Sequence, residues 1–164
     1  IEEAYKSINW TVIFLLAALV PINKAIIKTG ADQYIGRMIQ SLAEYLVSFG
    51  GSEFTVYLSL LYFVTFVLSA FMSNAAVAII LAPIGVFLAS GLPTPIDPKP
   101  FLVAICFGAS NSFMTPIGYQ TNLMVYGPGE YKMKDFIYVG LPLTLIFWYV
   151  AIKLIPIYWP QIPV

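Results

Sequence analysis

The chain has 164 residues, of which 60% are hydrophobic and only 10% charged, and its mean hydropathy is +0.85. A soluble domain carries about a quarter charged residues, so this composition marks an integral membrane protein. Eight basic and eight acidic residues cancel, which argues against a nucleic-acid or polybasic lipid partner; the lack of His excludes a histidine metal site or proton relay, and the single Cys106 allows no internal disulfide.

The chain opens Ile1-Glu2-Glu3 without an initiator Met or a basic signal region, and reads as a piece of something longer. Residues 1–7 are polar and belong at a membrane edge. Residues 8–28 predict a spanning helix with Trp10 as an aromatic anchor, a kink at Pro21, and Lys24 and Lys28 reaching toward head groups. Thr29-Gly30-Ala31-Asp32 reads as a stop followed by an N-cap. Over 32–49, Ile35, Met38, Ile39, Leu42, Leu46 and Phe49 form an apolar stripe opposite Arg37, Gln40, Ser41 and Glu44. That pattern suits a helix lying along the interface or bracing other helices. Gly50-Gly51-Ser52 ends it.

Residues 54–92 predict a helical hairpin, with apolar runs 54–72 and 75–92 meeting at Ser73-Asn74. No charged residue lies between Glu53 and Asp97. Surface turns usually carry charge, so the tip at 73–75 reads as re-entrant and deep in the bilayer; an ordinary surface turn is the alternative. Ser73 or Asn74 would cap the second arm. Thr55, Ser59 and Thr65 fit hydroxyls bonded to their own or a neighbouring helix, whereas Ser69, one turn before the tip, is open between that role and a site.

Four prolines in the stretch from Gly91 through Pro100 make a surface loop. Residues 101–126 predict a discontinuous helix. Its first half, 101–114, is too short to span, and Gly108, Ala109, Ser110, Asn111 and Ser112 allow close backbone approach. Thr115-Pro116-Ile117-Gly118 ends that half, and helix resumes at Asn122 before Gly127-Pro128-Gly129. Irregular polar backbone at membrane depth is tolerated only where it is buried or lines a cavity, and interrupted segments of this kind point to a transporter site. Residues 135–156 predict the last spanning helix, mildly broken at Gly140-Leu141-Pro142. Trp148, Tyr149, Tyr158 and Trp159 would mark its far interface, with Lys153 snorkelling there.

Ser73-Asn74-Ala75, Ala82-Pro83-Ile84 and the run from Thr115 through Asn122 to Gly127 resemble the divalent anion/sodium symporter family, the sodium–sulfate and sodium–dicarboxylate carriers. Asn9-Trp10 and Lys28-Thr29-Gly30-Ala31 match the start of that family's second half. The resemblance covers nearly the whole chain but one of two inverted repeats. It implies an all-α membrane fold in which this chain is the C-terminal repeat of an ion transporter, from a branch with cytoplasmic regulatory domains. It further implies a homodimer in the plasma membrane, partnered by the transporter's N-terminal half and the lipid bilayer. Two departures stand out: Ala75 replaces the Thr of the family's Ser-Asn-Thr tip, and Tyr119-Gln120-Thr121-Asn122 replaces Thr-Pro-Pro-Asn. Carried over residue by residue, a sodium ion would be held by Asn74 and the carbonyls of Ser69, Met72 and Gly118. The anion, sulfate or a dicarboxylate, would meet Ser73, Asn74 and Ala75, with Tyr119, Gln120 and Thr121 as further candidates.

The residues give that assignment a mechanism. Neither break carries Lys or Arg, so a dianion there must be attracted by helix N-termini, each equivalent to roughly half a positive charge, by Ser and Asn donors, and by a bound cation. The helix from Ser73 and the half-helix from Asn122 would both present free N–H groups. Neither break carries Asp, Glu or His, which disfavours proton coupling. The alternatives are a cation/proton antiporter or arsenite-type permease of the same superfamily, and a non-transporting membrane assembly subunit. An enzyme is not indicated, because no nucleophile–base pair or metal-ligand cluster appears, and no cofactor beyond sodium as coupling ion is expected.

Overall fold

The computed structural model describes residues 10–163, whose regular structure is helical apart from one isolated bridge between Ile96 and Pro163. The expectations for residues 1–9, and for the side chains of Trp10 and Gln120, lie outside the described residues. Among the described residues seven helices follow in order: α1 (Trp10–Thr29), α2 (Ala31–Val47), α3 (Glu53–Ser69), α4 (Asn74–Ser90), α5 (Lys99–Ser110), α6 (Gln120–Tyr126) and α7 (Met133–Tyr158). Among the described residues α7, at 26 residues, is long and apolar enough to cross a bilayer, while α3, α4 and α5 are shorter apolar helices.

Helices α3 and α4 form a hairpin, and α5 packs against both arms. The facing positions follow helical spacing: Leu58, Leu61, Tyr62 and Phe66 on α3, Val77, Leu81, Ile84 and Leu88 on α4, and Phe101, Ala104, Ile105 and Ala109 on α5 are all buried. Each arm begins with a serine cap, because the Ser52 hydroxyl accepts from Thr55 N–H and the Ser73 hydroxyl from Ala76 N–H. The first arm ends at Ser69, earlier than the apolar run suggests, and Ala70 takes the C-cap position.

Glycine sets how closely α5 approaches α3. A Cβ on Gly108 would lie 2.9 Å from Thr65 Cβ and 3.2 Å from the Tyr62 carbonyl oxygen. Gly108→Ala is therefore expected to lower stability by about 1–3 kcal/mol through overpacking, read as a drop in Tm of the purified protein. Thr65, on the same seam, spends its hydroxyl on the Leu61 carbonyl at 2.6 Å.

Helix α2 braces the hairpin, packing on both α3 and α4, but with only the Ile35 and Ile39 part of the expected face. Its buried residues are Asp32, Gly36, Ile39 and Ala43, while Met38, Leu42, Leu46 and Phe49 are exposed together with Tyr34 and Tyr45. Close approach decides this. Gly36 lies against the Phe87 ring and Gly91 against the Gln40 amide, so small residues share the packed face with Ile39. Asp32 is not an N-cap: α2 starts after Gly30, whose left-handed φ of 71° makes the turn, and Asp32 is buried in the first turn.

The loop between α4 and α5 is fixed at Asp97. Its N–H donates to Ile162 carbonyl at 2.9 Å, and its carboxylate takes Lys99 N–H at 3.0 Å and Lys99 Nζ at 2.9 Å. The hydrogen bonds from Lys99 hold the Asp97 carboxyl below the usual carboxylate range.

Helix α7 packs on α3 and α5 and runs without interruption through Gly140-Leu141-Pro142, where a break was expected. Pro142 forfeits one intrahelical N–H and the flanking turns carry the helix past it. The Trp148 indole N–H donates to the Ser59 carbonyl at 3.1 Å and its ring lies 5.8 Å from that of Phe63, so it ties α7 to α3. Lys153 lies over the Tyr149 ring at 5.9 Å.

Candidate functional site

The unwound segment between α5 and α6 runs from Asn111 to Tyr119, beginning earlier than the apolar run of 101–114 predicts. The reason is the chemistry of its first two residues: both Asn111 and Ser112 are buried and spend their side chains on other elements. Ser112 turns toward the hairpin tip, and Asn111 toward α7.

At the tip, Ser69, Asn74 and Ser112 meet. The Ser69 hydroxyl is 3.0 Å from Asn74 Oδ1 and 2.7 Å from the Ser112 hydroxyl, and also contacts the Ala109 carbonyl. The Ser112 hydroxyl is 2.8 Å from Asn74 Oδ1 and 3.0 Å from the Ala109 carbonyl. Each hydroxyl owns one hydrogen. With the Asn74 amide oxygen turned toward them, two hydrogens serve five close oxygen pairs, and three of those pairs are left as oxygen facing oxygen. Such an under-protonated oxygen cluster at a helix C-terminus is electrostatically suited to a small cation.

A second set of bonds stitches the tip to the far end of the break. Thr115 donates its hydroxyl to the Ala70 carbonyl and accepts from Gly118 N–H at 3.1 Å. Gly118 lies so close to the tip that a Cβ there would be 3.0 Å from the Ser69 carbonyl oxygen. The Asn122 amide reaches back from α6 to the carbonyls of Ser112 at 2.9 Å and Thr115 at 3.1 Å, pinning the curve of the unwound segment.

Of the four sodium ligands expected, the structure brings Ser69, Asn74 and Gly118 together. Met72 stays at the tip, its N–H bonded to the Leu68 carbonyl. Of the anion candidates, Asn74 and Tyr119 line a cavity of about 160 Å³ with Ser110, Ser112, Phe113 and Asn122. Ser73 and Thr121 are exposed and line none of it, and Ala75 is half-buried. The N–H groups of Asn74 and Ala75 open α4 without backbone acceptors, since the Ser73 cap serves Ala76 and Val77. Position 75 can thus act through its main chain, whatever its side chain. By contrast α6 has only seven residues and begins at Gln120, two residues earlier than expected; its first backbone bond runs from Leu123 N–H to the Tyr119 carbonyl, and the Asn122 side chain pins the unwound segment.

Sequence reasoning passed over Ser112, Thr115 and Asn122 as site builders. The signal was there: three polar side chains with no surface role in a stretch lacking charge. The buried carboxylate Asp32 lies at the start of α2 and lines none of this cavity.

The family model described as Citrate transporter matches residues 1–108 and 42–164. An uncharacterized transporter of Synechocystis is 40% identical over 144 residues, covering 88% of this chain and 22% of that protein. Another from Escherichia coli K12 is 34% identical over 159 residues, covering 97% and 25%. Sodium/sulfate cotransporter 2 of Chlamydomonas reinhardtii is 33% identical over 150 residues, covering 92% of this chain and 16% of its own length. The chain thus spans a quarter or less of these relatives. Because the matched ranges together run the full length, with the hairpin and the unwound segment inside them, the chain belongs to the citrate transporter family.

Proposed function

We propose that this chain is the C-terminal repeat of a secondary active transporter that couples sodium to uptake of a small divalent anion, sulfate or a dicarboxylate. The observation that carries the reading is the oxygen cluster of Ser69, Asn74 and Ser112, where two hydrogens are shared among five contacts. Sodium supplies the missing positive charge, held by Asn74 Oδ1 and the Ser69 carbonyl beside Gly118, with Met72 closing from the tip. The anion lies in the adjoining cavity on the Asn74 and Ala75 N–H groups, with Ser73, Tyr119, Gln120 and Thr121 completing its surroundings. No Lys or Arg lines that cavity, so the cation makes anion binding favourable. Linkage makes the dependence mutual.

The hairpin tip dips into the bilayer in this reading, and it moves with the unwound segment against a scaffold during alternating access. The partner half supplies the mirror-related tip, and the assembly is a homodimer in the plasma membrane. The relatives named sodium/sulfate cotransporters support sulfate as the first anion to try. In vesicles containing the full transporter, replacing sodium by choline is expected to lower sulfate or dicarboxylate uptake at least about tenfold, the equivalent of ~1.4 kcal/mol of lost coupling. Uptake that persists unchanged overturns the coupling.

A further inference from the structure

Directly behind the oxygen cluster lies a second polar group that the transport reading leaves unused. Tyr62, Asn111 and Thr144 converge there from α3, the end of α5 and α7. Asn111 is 4% exposed and Thr144 0%. The Asn111 amide N–H₂ donates to the Thr144 carbonyl at 3.1 Å and to the Tyr62 hydroxyl at 3.4 Å. That leaves Asn111 Oδ1 and Thr144 Oγ1 buried without a partner among the described protein groups. A buried polar atom with no partner costs about 1–3 kcal/mol, and here two belong to residues already in contact.

We propose that Tyr62, Asn111 and Thr144 form a second monovalent-cation site. The donor set is four neutral oxygens: Asn111 Oδ1, Thr144 Oγ1, the Thr144 carbonyl and Tyr62 Oη. Transition metals favour nitrogen or sulfur ligands and calcium favours carboxylates, and this set has neither. The last turn of α5 ends at Asn111, and a helix C-terminus carries about half a negative charge, which selects a cation over an anion. Turning the Asn111 amide about its terminal torsion, which is soft and roughly two-fold, exchanges Nδ2 for Oδ1. The amide oxygen then stands beside the Thr144 carbonyl and Tyr62 Oη, so entry of the ion and rotation of the amide are one event.

The next residue, Ser112, belongs to the cluster around Asn74. One stretch of unwound backbone therefore joins both sites, and filling one positions a ligand of the other. The cooperativity rests on the sodium reading above; the site at Asn111 does not.

The test uses the purified full transporter in detergent without anion. Tm is titrated with sodium against choline at constant ionic strength, because a ligand that binds only the folded state raises Tm with its concentration. Wild type is expected to respond with a Hill coefficient above one. Thr144→Val and Tyr62→Phe are each expected to raise the sodium midpoint at least fivefold and to lower the Hill coefficient below that of wild type, and Thr144→Ser, which keeps the hydroxyl, to restore both. Equal loss of Tm in sodium and choline with an unmoved midpoint means a purely structural cluster or an ordered water only, and overturns the site. A response lost in Asn74→Ala but untouched in the Tyr62 and Thr144 variants overturns the second site while sparing the first. A wild type without any sodium response overturns both.

Discussion

Asn74→Ala is expected to raise the sodium concentration needed for half-maximal uptake by at least about tenfold, which corresponds to ~1.4 kcal/mol. Asn74 Oδ1 is the acceptor shared by the Ser69 and Ser112 hydroxyls, at 3.0 and 2.8 Å. Removing it takes away the proposed cation ligand and leaves the two buried hydroxyls only each other and the Ala109 carbonyl as partners. The loss falls on binding more than on folding, because the Ser73 cap that starts α4 is untouched. Cys106→Ala is the control: its thiol is exposed, and it lines neither the cavity nor the oxygen cluster. Uptake is measured against sodium concentration at fixed anion. An equal shift in the two variants removes Asn74 from the cation site.

The same comparison explains what the amino-acid pattern reveals and what it hides. Local chemistry was legible. Ser73 caps the second arm, the proline loop ends one helix and starts another, and the uncharged Ser-Asn and Thr-Pro stretches point to transport. The family followed from the same residues. Hidden were features that depend on which helix lies opposite. The apolar stripe of α2 is as regular as any in the chain, yet Gly36 and Ala43 face the hairpin while Met38 and Leu42 do not. In a chain with so many large apolar residues, a stripe stops discriminating inside from outside, and closeness is set by the residues that lack bulk. Trp148 illustrates the same limit. Its sequence position suggests an interfacial anchor, while its bond across to the Ser59 carbonyl of another helix is not visible in the sequence. Ser112 and Asn122 were legible as polar but not as partners, because their bonds cross 38 and 10 residues of chain.

Gly140→Ala carries the largest expected structural effect in the last helix. The sequence presented Gly140 as a weak point of α7, but the helix is continuous there and the glycine serves its neighbour. The unwound segment crosses α7 at this position. An added Cβ would meet the Phe113 carbonyl oxygen, lie 2.6 Å from the Phe113 carbonyl carbon and 3.0 Å from Met114 Cα. Those atoms are main chain, so no rotamer change relieves the contact, and either α7 or the segment after Ser112 must move. Overpacking of this kind costs about 1–3 kcal/mol. The larger consequence is positional: Phe113 follows Ser112 directly, and a shift there of even a few tenths of an ångström alters the spacing of the oxygens around Asn74. Uptake is expected to fall at least about tenfold, with Tm lowered in sodium and choline alike. Gly127→Ala, where a Cβ would have nothing within 4 Å, is expected to leave both unchanged. Full uptake by Gly140→Ala would mean that α7 does not set the position of the unwound segment, and that the oxygen cluster is held by the hairpin alone.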